Sequence, residues 1–97
     1  MNICLVVGNR IPVYKYGGTE RIVQWLIKDF LLLGHSVTVV APPGSEFPGV
    51  RMLYAENAIQ AQRIIPNDVE IVHFHAWAPS DYFHLPWIYT LHGNVSE

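Results

Sequence analysis

The sequence NICLVVG at residues 2–8 leads through a loop into TERIVQWLIKDFLLLG at residues 19–34 and then into VTVVA at residues 37–41. Residues 3–7 and residues 37–41 are short, continuous apolar runs, which are typical of strands buried on both faces of a parallel sheet. In the middle segment, apolar residues recur at the spacing of one helical face. Strand, helix and strand within about forty residues predict a right-handed βαβ unit.

The rest of the chain continues this alternation with shorter elements. We predict strands at residues 51–54, 70–74 and 87–91, and a helix at residues 56–64 that ends before Pro66 and Asn67. Gly34 is placed to close the first helix in a left-handed conformation. The fold class is therefore α/β, a Rossmann-like parallel sheet of about five strands.

The composition is unusually apolar for a chain of 97 residues, with 51% hydrophobic and 14% charged residues. A soluble domain carries roughly a quarter charged residues, and a small domain has proportionally more surface to cover. We therefore expect uncovered apolar surface, which further protein normally covers or through which the chain associates with itself.

Charge and cysteine content exclude several classes of protein. The net charge is −2 without a basic run, which argues against partners such as nucleic acid or an anionic membrane surface. Cys4 is the single cysteine and cannot form an internal disulfide, so a reducing compartment is permitted. The apolar start is too short for a signal peptide or a membrane span. We expect a cytoplasmic protein.

The loop before the first helix contains two adjacent glycines, Gly17 and Gly18, followed by Thr19. Glycines at a helix start expose backbone N–H groups without a Cβ, and the helix dipole adds positive charge there. Such a place suits a phosphate or a closely approaching sugar. The alternative is a tight loop that needs positive φ angles. The spacing matches neither the dinucleotide fingerprint nor the Walker phosphate loop.

Histidines follow the later strands. His73 and His75 have strand spacing and point to the same side, and His92 follows the last predicted strand, at the same sheet edge as the glycine pair. With His84 these residues form a histidine cluster in the sequence, so a metal site is conceivable. Few carboxylates lie nearby, so we favour histidines that line the ligand crevice of a parallel sheet. For His92 the alternative is a histidine that caps a strand through backbone bonds.

Taken in order, these stretches resemble the amino-terminal domain of family-4 (group 1) retaining glycosyltransferases, which have the two-domain GT-B fold. The matching stretches are residues 3–7, 16–21, 33–39, 68–75 and 90–93. Each is weak alone, but their ordered combination is fairly specific and spans nearly the whole chain.

The resemblance implies an enzyme that moves a sugar from a nucleotide-diphosphate donor to an acceptor with retention, without a metal or other cofactor. It places Gly17 and Gly18, with the adjoining Thr19, against the donor diphosphate and His92 at the reaction centre. Glu20 belongs to the same motif and joins His73 and His75 as a crevice-lining candidate. Glu20 also suits the helix dipole, as an acidic residue in the first turn.

The chain departs from the family in one large respect. Those enzymes hold the nucleotide mainly in a carboxy-terminal domain with a Glu-x7-Glu pair, which residues 1–97 lack. We therefore expect residues 1–97 to be a partial amino-terminal domain, the nucleotide-binding domain being absent, and to bind nucleotide sugars poorly. The main alternative is a non-catalytic Rossmann-like module that binds a nucleotide, sugar or protein at the same edge. A metal hydrolase built on the histidines is a third reading.

Overall fold

The computed structural model describes residues 1–11, 18–79 and 83–90, with only the backbone at residues 18–20. These parts form a five-stranded sheet in the order β3-β2-β1-β4-β5, with every neighbouring pair parallel. The α/β class and the parallel sheet are thus confirmed. The elements are β1 (Asn2–Val6), α1 (Gly18–Leu32), β2 (Ser36–Ala41), β3 (Arg51–Tyr54), α2 (Ala58–Ile64), β4 (Ile71–Phe74) and β5 (Trp87–Tyr89).

β1 lies at the centre of the sheet, and its side chains are buried on both faces. Leu5 is paired with Val39 of β2 on one side and with His73 of β4 on the other. Because successive side chains point to opposite faces, β1 contributes alternately to two hydrophobic clusters. Cys4, Val6, Val72 and Phe74 belong to one cluster, and Leu5, Val7, Val23, Ile27 and Val39 belong to the other. This two-sided burial explains the continuous apolar run.

α1 packs Val23 and Ile27 against the sheet and ends in a left-handed glycine turn. Gly34 has a φ of +88°, the His35 N–H donates to the Phe30 carbonyl at 3.0 Å, and the Gly34 N–H donates to the Leu31 carbonyl at 3.1 Å. These two bonds satisfy carbonyls that the helix end leaves open, as in a Schellman motif. The predicted role of Gly34 is confirmed. Neither described helix has the length and apolarity that crossing a membrane requires.

α2 begins two residues later than the predicted helix at residues 56–64. Asn57 is extended, with a φ of −158°, and its side-chain oxygen accepts the Gln60 N–H at 2.9 Å. The Gln60 side chain in turn accepts the Glu56 N–H at 2.8 Å. This capping arrangement sets the helix start at Ala58, because a capping residue lies outside the helical conformation.

Charged groups tie the amino ends of the strands together. Arg51 forms an ion pair with Asp68 at 3.0 Å and donates from Nε to the Thr38 hydroxyl at 3.0 Å. The Asn2 N–H donates to the Glu70 carboxylate at 2.8 Å. The Arg51–Asp68 pair is about half exposed, and such pairs contribute less than about 1 kcal/mol. Their position leaves the opposite, carboxyl edge of the sheet for a ligand.

Candidate functional site

The strand order creates a crevice between β1 and β4. From β1 the chain runs outward through β2 to β3, and then returns to the other side of β1 to form β4 and β5. In open parallel sheets, ligands bind outside the carboxyl ends of the strands at such a reversal of direction. The His75 N–H still donates to the Val6 carbonyl at 2.8 Å, whereas the Val7 N–H donates to Val40 of β2 at 2.9 Å. The strand ends separate beyond these bonds.

Gly8 and Ala76 approach each other closely across this crevice. A Cβ built on Gly8 would lie 2.9 Å from the Cβ of Ala76, closer than real Cβ atoms come. The indole of Trp77 lies 4.0 Å from the same point. Glycine is therefore required after β1 for space, because any side chain there would push the β4 loop away.

Gly8→Ala should destabilise the protein by about 1–3 kcal/mol, the usual cost of overpacking a well-packed site. The extra methyl meets Ala76 at 2.9 Å. Urea unfolding followed by circular dichroism measures the change. The matched control is the double variant Gly8→Ala with Ala76→Gly, which removes the opposing methyl and should recover most of the loss. A Gly8→Ala variant as stable as the parent would contradict this contact.

Trp77 has a backbone conformation that is rare for a bulky residue. Its φ is +55°, and it is the single non-glycine residue with positive φ in the described part of the chain. Such conformations cost of order 1–3 kcal/mol and cluster at functional sites, where the surroundings hold them. The indole packs against the cluster that contains Phe74 and also lies beside Gly8. The strained residue thus stands at the crevice.

His73 and His75 form a stacked pair at the end of β4. Their ring centroids are 3.9 Å apart, with an angle of 35° between the planes, which confirms that both side chains point to the same side of the strand. His73 Nε2 is hydrogen-bonded to the Thr90 hydroxyl at 2.6 Å, which joins the end of β4 to the residue after β5. His75 is buried. The pair is held in a fixed orientation beside the crevice.

The helix start predicted to receive a phosphate is at the same edge. α1 leads back to the amino end of β2, so its first residue, Gly18, lies at the carboxyl edge of the sheet. Gly17 and His92 lie outside the described residues, as do the side chains of Thr19 and Glu20. Their proposed contacts with a ligand stay predictions.

Sequence reasoning overlooked Arg10 at this edge. Its exposed side chain lies over the loop after β2, where its Cδ is 2.9 Å from the place of a Cβ on Gly44, which has a φ of +91°. The two loops are also joined by a bond from the Ile11 N–H to the buried Ser45 hydroxyl at 3.1 Å. Arg10 adds an exposed cation to this edge. The sequence feature that could have identified Arg10 is its position just after the apolar residues of β1.

Among residues 1–11, 18–79 and 83–90, no group of three or more His, Cys, Asp or Glu side chains is arranged to hold a metal ion. The ring of His73 contacts the ring of His75, and its Nε2 is hydrogen-bonded to the Thr90 hydroxyl.

The fold and this edge define a class: a Rossmann-like parallel α/β protein with its crevice at the reversal between β1 and β4. Comparisons with protein-family models, curated proteins and solved structures found no match.

Proposed function

We propose that the chain is the amino-terminal part of a glycosyltransferase that transfers a sugar from a nucleotide-diphosphate donor to an acceptor with retention. The observation that carries the proposal is the convergence of a glycine-led helix start, a close glycine–alanine contact and a fixed histidine pair at one sheet edge. The ordered sequence resemblance supports the same conclusion. In this proposal the protein acts in the cytoplasm.

Sugar transfer from a nucleotide-diphosphate donor requires that charges separating in the transition state be stabilised. A diphosphate leaves while the sugar carbon becomes cation-like, so preorganised N–H donors are needed where negative charge develops. The first amides of α1 are such donors, because a helix start has N–H groups without intrahelical partners. Arg10 is placed to add positive charge at that edge. In the proposal, Gly17, Gly18 and Thr19 bind the diphosphate and His92 contacts the transferred sugar.

Two variants of the protein expressed from the whole reading frame test this assignment. Gly18→Val should fill the phosphate approach with a side chain, and His92→Ala should remove the imidazole at the reaction centre. Each should lower kcat/KM for sugar transfer at least about 100-fold, the size seen when one preorganised donor group is lost. Transfer is measured with a panel of nucleotide sugars as donors.

The matched control is His84→Ala. His84 is bonded to Asn67 at 2.9 Å, at the amino edge of the sheet and away from the crevice. This variant should keep the parent rate. If Gly18→Val and His92→Ala also transfer sugar at the parent rate, the site assignment is wrong.

The length of the reading frame tests the class of protein. A glycosyltransferase should continue past residue 97 with a second domain that carries two glutamates in Glu-x7-Glu spacing. Residues 1–97 alone should then show no micromolar affinity for nucleotide sugars by calorimetry. Micromolar binding by residues 1–97, without transferase activity in the whole product, would instead favour a non-catalytic binding module.

A further inference from the structure

The solvent-facing side of α1 carries large apolar side chains. Trp25 is 62% exposed and Leu32 is 85% exposed, while Val23 and Ile27 on the opposite side are fully buried. Trp25 and Leu32 are seven residues apart, so they differ by only ~20° around the helix axis and form one outward line. We call this line, with Lys28 and Asp29 beside it, the outer stripe.

We propose that the outer stripe is an interface with a second copy of this chain, in which the two α1 helices run parallel about a two-fold axis along their length. Trp25 and Leu32 expose apolar surface on the same side of α1, and exposed apolar surface of this kind can mark an interaction site. The proposal is independent of the transferase function, because the outer stripe faces away from the sheet.

Charge complementarity selects the second copy as the occupant. Lys28 lies about 60° to one side of Trp25 and Asp29 about 40° to the other side. Both residues are exposed. A two-fold axis parallel to the helix exchanges left and right but keeps each residue at its own level. Lys28 of each copy therefore faces Asp29 of the other, and the dimer contains this ion pair twice.

The same axis brings like apolar side chains together. Trp25 packs against Trp25 of the other copy, and Leu32 packs against Leu32, as at the seam of a parallel helix pair. An antiparallel arrangement would keep Lys28 of both copies on one side of the seam, near each other, and like charges repel. The outer stripe is thus complementary to itself in one orientation only.

A membrane surface fits this helix less well. Interfacial helices carry several cations on the polar face and bind anionic lipids through them. Here Asp29 adjoins Lys28 within the outer stripe, and the chain has a net charge of −2. The self-complementary pair is therefore the better account of the exposed Trp25 and Leu32.

Sedimentation equilibrium of the 97-residue chain tests the interface. One short helix pair buries less than a standard interface, so we expect a weak dimer with a Kd of roughly 10–100 µM. Leu32→Asp should raise the Kd at least about tenfold, because it places two carboxylates at the seam. Leu32 is largely exposed, so circular dichroism should show an intact fold. The matched control, Ile59→Asp at an exposed position on α2, should leave the Kd unchanged.

A charge exchange tests the orientation. Lys28→Glu should raise the Kd about fivefold, since the new carboxylate at position 28 of each copy then faces Asp29 of the other. The double variant Lys28→Glu with Asp29→Lys should return to within about twofold of the parent Kd, because the pairs are re-formed with exchanged signs. Failure of the double variant to recover would overturn the parallel arrangement.

Crosslinking gives a second, geometric measurement. Leu32→Cys chains should form a covalent dimer on mild oxidation, because the two copies of this position meet at the axis within the reach of a disulfide. Leu33→Cys is the control, since Leu33 is also exposed, at 72%, but lies one residue past the end of α1 and off the line of Trp25 and Leu32. Cys4 does not interfere, because it is buried.

The outcomes separate the possible occupants. A chain that stays monomeric at about 500 µM, roughly five times the highest Kd expected for this interface, overturns the proposal. A dimer whose Kd is unchanged by Leu32→Asp but which is lost in Ile88→Lys would also overturn it. Ile88 is exposed on the edge strand β5, so the interface would then lie at that edge of the sheet. A monomer that sediments with phosphatidylserine vesicles would show a membrane surface instead and would also overturn it.

Discussion

Phe74→Ala should lower the free energy of unfolding by about 3–5 kcal/mol, the usual cost of removing a buried phenylalanine ring from a core. Phe74 is fully buried, and it is the largest fully buried side chain among the described residues. A domain of this size has a total stability of about 5–15 kcal/mol. The variant therefore loses a large part of its free energy of unfolding, and the urea concentration at its unfolding midpoint should fall.

The Phe74→Ala substitution should also disturb the candidate site, because Phe74 lies between His73 and His75 in the chain. Its ring makes edge-to-face contacts with Phe83 at 5.5 Å and Trp87 at 6.1 Å. Phe83→Ala is the control, since Phe83 is only partly buried and its loss should cost less than about 2 kcal/mol. A Phe74→Ala loss no larger than that of Phe83→Ala would show that this cluster is not centred on Phe74.

Raising the pH from 9 to 12 should cost the protein up to about 4 kcal/mol through the thiol of Cys4 alone. Burial raises the pKa of Cys4 from 9.0 to about 12, and the charge of Arg51 opposes this to a smaller extent. Between these pH values the unfolded chain has released the thiol proton and the folded chain still holds it. The unfolded state then binds fewer protons, so stability falls with pH by about 1.4 kcal/mol per unit.

The comparison of the parent with Cys4→Ala isolates this contribution. Every other ionisable group is the same in both proteins, so its contribution cancels in the comparison. The parent should lose stability more steeply above pH 9 than the variant, although the variant starts lower because of the small cavity. Equal slopes would mean that the Cys4 thiol ionises in the folded state as easily as in the unfolded chain.

The sequence predicted most of the elements because their signals are local. The continuous apolar runs at residues 3–7 and 37–41 supply most of β1 (Asn2–Val6) and β2 (Ser36–Ala41), which are buried on both faces. The period of α1 and the glycine at its end likewise report on neighbouring residues only. The helical pattern placed the start of α2 two residues too early, because the Gln60 N–H donates to the Asn57 side-chain oxygen and Asn57 therefore caps the helix from outside it.

Parts of the candidate site were predictable and others were not. The shared side of His73 and His75 follows from strand spacing, and the stacked rings confirm it. The bond between His73 and Thr90 joins residues 17 positions apart, and no spacing in the sequence indicates it. Neither the left-handed Trp77 nor the reach of Arg10 toward Gly44 has a local signal.

The sequence by itself determined the class of fold, because the order of apolar residues indicates which strands are buried on both faces and which segments have helical periodicity. Only the tertiary structure decided that β1 lies between β2 and β4, and so where the crevice opens. It also decided that Gly8 meets Ala76 there. The physical reason is that strand order and loop contacts depend on packing between residues far apart in the chain, whereas composition and periodicity report only how each segment is buried.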